Sequence, residues 1–196
     1  MVKAKVQVKR QKCSQSQSPE HLIIYYYGDG KGKTTAALGA VLRAVGHGWS
    51  CLVLQAIKGP WPSGEVRTIK KHLASIPVKI VLHGRGFVGI RGDTLTKREH
   101  RQAAMQAITK AREGIGSGRY RLVVLDEFAD LAALKLAAKE KIAALIDTAR
   151  RQKVTIIITG HTYEPSLARQ ADIVTKMQKV KHGYDCGIMA LKGIDF

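Results

Sequence analysis

"YYYGDGKGKTT", residues 25–35, is the stretch on which the reading of this chain turns. The residues before it, "HLII", extend the tyrosines into a compact apolar run of strand length. The residues after it, "KTTAALGAVLRAV" (33–45), form an Ala- and Gly-rich helical pattern that is apolar nearly all round, as expected of a helix buried against a sheet. Strand, glycine-rich turn and helix together are the context a phosphate-binding loop requires. The spelling departs from G-x-x-x-x-G-K-[ST], because Tyr27 stands where the first glycine belongs and glycine comes one residue late, at Gly28. Gly28, Gly30 and Gly32 still let backbone N–H groups turn toward phosphate oxygens, and the helix N-terminus adds its unpaired donors and positive dipole end. Lys33 is placed to neutralise a triphosphate and Thr34 to ligate Mg²⁺. A glycine-rich turn without a ligand is the alternative.

Working outward, apolar runs alternate with helical patterns. Strands are expected at 21–27, 51–58, 78–83, 120–127 and 154–160, with a sixth, outer one within 172–180. Helices are expected at 33–45, 94–115, 137–152 and, briefly, 165–170, with Met105, Ile108, Ala111 and Ile115 marking the apolar face of the long one. Two loops stand out: "GPWPSGE" (59–65) with two prolines, and "GRGFVGIRGD" (84–93) with four glycines in ten residues. Such alternation predicts an α/β fold with a mostly parallel sheet of about six strands and helices on both faces. Sheets of this kind bind ligands at the carboxyl ends of their strands, where the loops after strands one, three and five would gather.

Length and composition agree with one such domain. The chain has 196 residues, 45% of them apolar, enough for one core. Residues 1–20 read as a basic polar tail, expected to be disordered and lacking a signal-peptide core, and 21–196 as the domain. No apolar run has membrane-spanning length. Cys13, Cys51 and Cys186 are scattered and odd in number, which argues against a disulfide framework or structural zinc and for a reducing cytoplasm. The net charge is +18; the tail carries five basic residues and one acid, so the remainder, with 28 basic and 14 acidic residues, is strongly positive too. That favours anionic partners without choosing among nucleotide, nucleic acid and anionic lipid, and a merely solvated basic surface is an equal reading.

"LVVLDE" (122–127) is the natural partner of the phosphate loop, an apolar strand delivering Asp126 and Glu127 at its carboxyl end. In phosphate-loop proteins such a carboxylate holds Mg²⁺ directly or through water. Glu127 could instead orient a water for hydrolysis, and His161 or His182 could take part or be turn residues.

"GDGKGKTTAALGAVLRAVGHG", "IKGPWPSGE", "GRGFVGIRGD", "VVLDE", "ITG" and the ending "VKHGYDCGIMALKGIDF" occur in this order over nearly the whole domain. In that set the chain resembles the phosphate-loop class of corrinoid adenosyltransferases. The doubled G-K loop and the K-H-x-[YF]-D ending are far more specific than a Walker pattern. The resemblance implies a three-layer P-loop NTPase (RecA-like) fold and transfer of the 5′-deoxyadenosyl group of ATP to the Co(I) centre of a corrinoid, cobalamin or cobyrinic acid a,c-diamide, with release of triphosphate. It implies a homodimer, and the need for Co(I) makes a flavoprotein reductant a candidate partner. It assigns Gly28, Asp29, Gly30, Lys31, Gly32, Lys33, Thr34 and Thr35 to ATP, with Lys33 and Glu127 in the catalytic centre. Thr34 and Glu127 are then the Mg²⁺ ligands, with Asp126 nearby.

The family excludes the corrinoid's lower axial ligand with aromatic residues in the loop after strand three. Phe87 matches the first of these, whereas Gly89 stands where relatives carry tryptophan. A core anchor is the lesser alternative for Phe87, and Trp61 reads equally as a packing residue or a corrinoid contact. Lys58, Arg85 and Arg91 are weaker candidates for phosphate or corrinoid side groups. The competing functions are a P-loop ATPase that works on nucleic acid and, third, a nucleotide-binding regulatory module without catalysis.

Overall fold

The computed structural model describes residues 19–57, 59, 63–72, 76–86, 88–89 and 93–195. Six strands, β1 (Ile23–Tyr27), β2 (Cys51–Gln55), β3 (Val78–Leu82), β4 (Leu122–Asp126), β5 (Thr155–Gly160) and β6 (Ile173–Lys176), form one sheet in the order β3-β2-β4-β5-β1-β6. Every neighbouring pair is parallel. The helices are α1 (Lys33–Gly46), α2 (Gly64–His72), α3 (Lys97–Gly116), α4 (Asp130–Ala133), α5 (Lys139–Gln152) and α6 (Pro165–Gln170).

Alternation along the strands separates two cores. Cys51, Val53, Leu122, Val124 and Ile157 face α1, packing with Ala37, Val41 and Ala44. Their neighbours Leu52, Leu54, Val123, Leu125, Ile156 and Ile158 point the other way, into a larger cluster with Ala104, Ala107 and Ile108 of α3 and Ile142, Leu145 and Ile146 of α5. The sheet is therefore covered on both faces, and β2, β4 and β5 are buried at every position, which is why they read as unbroken apolar runs. The edge strand β6 is exposed at all four residues.

Several bounds differ from the sequence expectation. The second strand stops at Gln55, the sixth is only four residues long, and the long helix starts at Lys97, behind a capping box in which Thr96 and Glu99 exchange hydrogen bonds. α2 and the single turn α4 were not expected. α2 is polar apart from the buried Val66 and the half-buried Ile69, so periodicity carries little signal there. The buried face of α3 is lined mainly by Ala103, Ala104, Ala107 and Ala111 with Ile108 and Ile115, while Met105 is only partly buried. The small residues let this helix lie close to the sheet; at Gly114 an added Cβ would fall 2.3 Å from Leu52 Cδ2.

Candidate active site

β1 ends by hydrogen bonding into the neighbouring strand exit: Gly28 N–H donates to Gly160 O and His161 O, each at 3.2 Å. Gly28 has φ 120° and Gly32 φ 113°, and Gly32 is the N-cap of α1. Lys33 is buried, its Nζ donating to Gly28 O at 2.6 Å and Gly30 O at 2.9 Å, so the lysine is wrapped by its own loop. Burial pulls its ammonium below the usual lysine range, and the charges of Asp130, Glu127, Asp29 and Asp126 oppose that.

One turn along, Thr34 connects loop to carboxylate. Its Oγ1 donates toward Asp126, at 2.9 Å from Oδ1 and 3.2 Å from Oδ2. Asp126 is fully buried and also accepts from Thr159 Oγ1 at 2.7 Å and Gln55 Nε2 at 3.0 Å. Three strand ends thus converge on one carboxylate, because register puts Gln55 beside Asp126 and β5 beside β4. Glu127 follows with φ 63°, a left-handed conformation that costs a non-glycine residue about 1–2 kcal/mol. Its N–H donates to Thr159 Oγ1 at 2.9 Å. A strained acid at a strand exit, facing a cavity, marks a site where position matters more than local comfort.

The loop leaving β5 is fixed by two buried groups. Asp130 accepts the N–H of His161 at 2.8 Å and of Thr162 at 3.0 Å, and Tyr25 Oη donates to Thr162 O at 2.6 Å while accepting Glu164 N–H at 3.1 Å. Burial pushes the Tyr25 phenol up to about 12, so it stays a neutral donor.

Beyond β6 the chain turns back over the phosphate loop. Met177 N–H donates to Tyr27 O at 2.7 Å, Gly30 N–H to Met177 O at 2.8 Å, and Lys179 N–H to Asp29 Oδ1 at 3.1 Å. A Cβ on Gly28 would sit 2.3 Å from Met177 O, and one on Gly30 2.8 Å from the Met177 and Gln178 backbone. These two glycines therefore have a second duty: they admit the crossing chain. Farther on, His182 caps a 3₁₀ turn (Gly183–Cys186), its Nδ1 accepting Tyr184 N–H, and Lys31 pairs with Asp195.

Together these elements enclose a cavity of about 1140 Å³ at the carboxyl edge of the sheet. Asp29, Gly30, Lys31, Gly32, Lys33, Thr34 and Thr35 line one wall, Glu127, Thr159 and His161 another, and His182, Tyr184 and Asp195 the roof. Leu38 and Leu42 of α1 and Glu65 of α2 extend it sideways. Of the residues expected from sequence, the loop and Glu127 meet here, whereas Asp126 lies beneath and reaches the cavity through Thr34. Phe87, Trp61, Lys58 and Arg91 fall outside the described residues. Arg85 is exposed, near Glu99. Gly89, two residues after Phe87, has φ 71° and donates its N–H to Asp93 Oδ2 at 2.7 Å. Sequence reasoning missed Gln55, Thr159, Asp130, Glu65 and Asp195. The polar residues Gln55 and Thr159 at the ends of apolar strands were the available signal.

A sequence profile of the family described as "ATP:corrinoid adenosyltransferase BtuR/CobO/CobP" matches residues 19–196. The chain is 33% identical over 195 residues to the corrinoid adenosyltransferase of Escherichia coli (strain K12), covering 100% of this chain and 94% of that protein. It is 33% identical over 185 residues to the corrinoid adenosyltransferase CobA of Salmonella typhimurium, covering 94% and 90%. A corrinoid adenosyltransferase of Sinorhizobium sp is 32% identical over 197 residues, covering 100% and 90%.

Proposed function

The chain belongs to the ATP:corrinoid adenosyltransferase family, and we propose on that premise that its phosphate loop presents ATP for attack at the 5′ carbon. The protein transfers the adenosyl group of ATP to a corrinoid. The observation that carries the site reading is the meeting of the glycine loop, Lys33, Thr34 and Glu127 around one cavity large enough for a nucleotide. In this reaction Co(I) of the substrate is the nucleophile, the cobalt–carbon bond forms as C5′–O breaks, and the bonding pair leaves with triphosphate. No protein base is needed, so the chain's task is orientation and charge stabilisation of the leaving group. Lys31, Lys33 and the α1 N-terminus supply this, whereas the N–H groups of Gly28 and Gly30, expected to face phosphate, are already bonded to the carbonyls of Gly160, His161 and Met177.

Mg²⁺ fits the donor set. Thr34 donates its hydroxyl hydrogen bond to Asp126 and keeps oxygen lone pairs for a cation, and Glu127 adds a second hard oxygen. Bound there, the ion would neutralise part of the triphosphate charge. Asp126 acts by orienting Thr34.

Phe87 is proposed to exclude the corrinoid's lower axial ligand, and Trp61 to contact the ring. A homodimer is supported by the exposed apolar side chains of β6 and the segment after it: Ile173, Val174, Val180, Met189 and Ile194. A flavoprotein reductant in the cytoplasm is the proposed source of the electron. Among the described residues no helix is long and apolar enough to cross a membrane.

Incubation with ATP, Mg²⁺ and chemically reduced cobalamin tests the function. A light-sensitive alkylcobalamin and stoichiometric triphosphate are expected. ADP with phosphate and an unchanged corrinoid spectrum would sink the reading and favour the ATPase alternative.

A further inference from the structure

The segment from Met177 to Asp195 is fastened to the phosphate loop at both ends. Its start is held by Gly30 N–H on Met177 O and by Asp29 on Lys179 N–H. Its far end is held by the Lys31–Asp195 ion pair. Between these points the side chains of Val180, Met189 and Leu191 are exposed rather than packed into either core. Asp195 divides its labour: Oδ2 accepts Leu191 N–H at 2.7 Å, closing a turn in which Asp195 N–H donates to Leu191 O at 2.8 Å, while Oδ1 holds Lys31. Lys31 and Asp195 both line the nucleotide cavity, so among its carboxylates Asp195 occupies a lysine of the phosphate loop directly.

We propose that Asp195 is a resident competing anion of the triphosphate site. Lys31 exchanges Asp195 for the triphosphate tail of ATP, and that exchange releases the far end of the strap. One ammonium cannot fully neutralise both groups, and the triphosphate carries more charge and also meets the α1 N-terminus. When the reaction leaves free triphosphate, Asp195 returns to Lys31 and helps expel the product. This rests on the reading of residues 28–35 as the triphosphate cradle and adds to it a residue that governs release.

Asp195→Asn separates the two duties, because its side-chain oxygen can still cap Leu191 N–H while the charge is gone. Calorimetric titration of the full chain with inorganic triphosphate and Mg²⁺, for wild type, Asp195→Asn and Lys33→Ala, is the test. Asp195→Asn should bind about threefold tighter, the scale of an exposed ion pair. Hydrogen exchange supplies a second readout: triphosphate should speed exchange of the Leu191 and Asp195 amides in wild type. In Asp195→Asn, which has no ion pair with Lys31 left to break, exchange of those amides should respond little to triphosphate. Equal or weaker binding by Asp195→Asn, or slower exchange on adding triphosphate, overturns the proposal. If wild type and Lys33→Ala both fail to bind triphosphate, the cradle reading falls and this inference with it. If only Lys33→Ala fails, the cradle stands and Asp195→Asn alone decides.

Discussion

Lys33 and Asp126 are buried charges with opposite assignments. Lys33 is held under the loop by two carbonyls, poised to turn its hydrogen bonds to a stronger acceptor. Lys33→Ala removes a charge-assisted contact of about 1.5–3 kcal/mol, so kcat/KM for ATP should fall about 10- to 100-fold. Near-wild-type turnover at subsaturating ATP would refute its role. Asp126, by contrast, is an organiser with three donors turned on it. Asp126→Ala leaves Thr34, Gln55 and Thr159 without an acceptor and should cost about 3 kcal/mol in urea denaturation, with a smaller loss for Asp126→Asn. A change under about 0.5 kcal/mol for Asp126→Ala would show that those donors find other partners. The loop and the Asp126-Glu127 pair were legible in sequence because each is a local motif. Gln55 and Thr159 were not, since only the register of β2, β4 and β5 brings them to the same carboxylate.

Elements carry information that motifs hide. Gly28 and Gly30 read as phosphate-loop glycines, yet the chain after β6 crosses directly over them, a non-local demand that the local pattern does not show. Gly28→Ala adds strain at φ 120° and drives a Cβ into the Met177 carbonyl, so a loss of about 2 kcal/mol or more is expected with faster exchange of the Met177 amide. Unchanged stability would mean that the strap yields freely. The glycine-rich loop before α3 has its own anchor. The N–H groups of Gly89 and Leu95, and then His100, hold the Asp93 carboxyl at about 2, below its ordinary 3.8. A depressed carboxyl stabilises the fold fully above about pH 4 and loses that contribution as pH falls through about 2. Protection of the Gly89 and Leu95 amides should disappear over that interval, and Asp93→Asn should abolish the pH dependence. The same loop explains Gly89: at φ 71° a tryptophan there would be strained, whatever the corrinoid requires. α2 escaped sequence reading for the opposite reason, having too little apolar surface to announce itself.

At the scale of the whole molecule, strand order and charge are the two properties that matter. The order puts β5 between the loop strand β1 and the carboxylate strand β4, so the site draws on three strand exits. Alternation of strands and helices predicted a parallel sheet but cannot rank the strands, because order depends on which crossover packs over which face. Charge was fully legible, and its consequence is kinetic. A +18 molecule attracts ATP from well beyond contact distance, whereas Lys31, Lys33 and the α1 N-terminus act only once it arrives. Raising ionic strength from about 0.01 M to 0.15 M shortens the screening length from about 30 Å to 8 Å. The association rate constant for ATP should therefore drop by about tenfold in stopped-flow measurements, with a much smaller change in the dissociation rate. Lys33→Ala should show nearly the same salt slope from a weaker starting affinity, because it removes one charge of many. If salt instead acts mainly on dissociation, the surface charge plays no part in capturing ATP and its partner must be sought elsewhere.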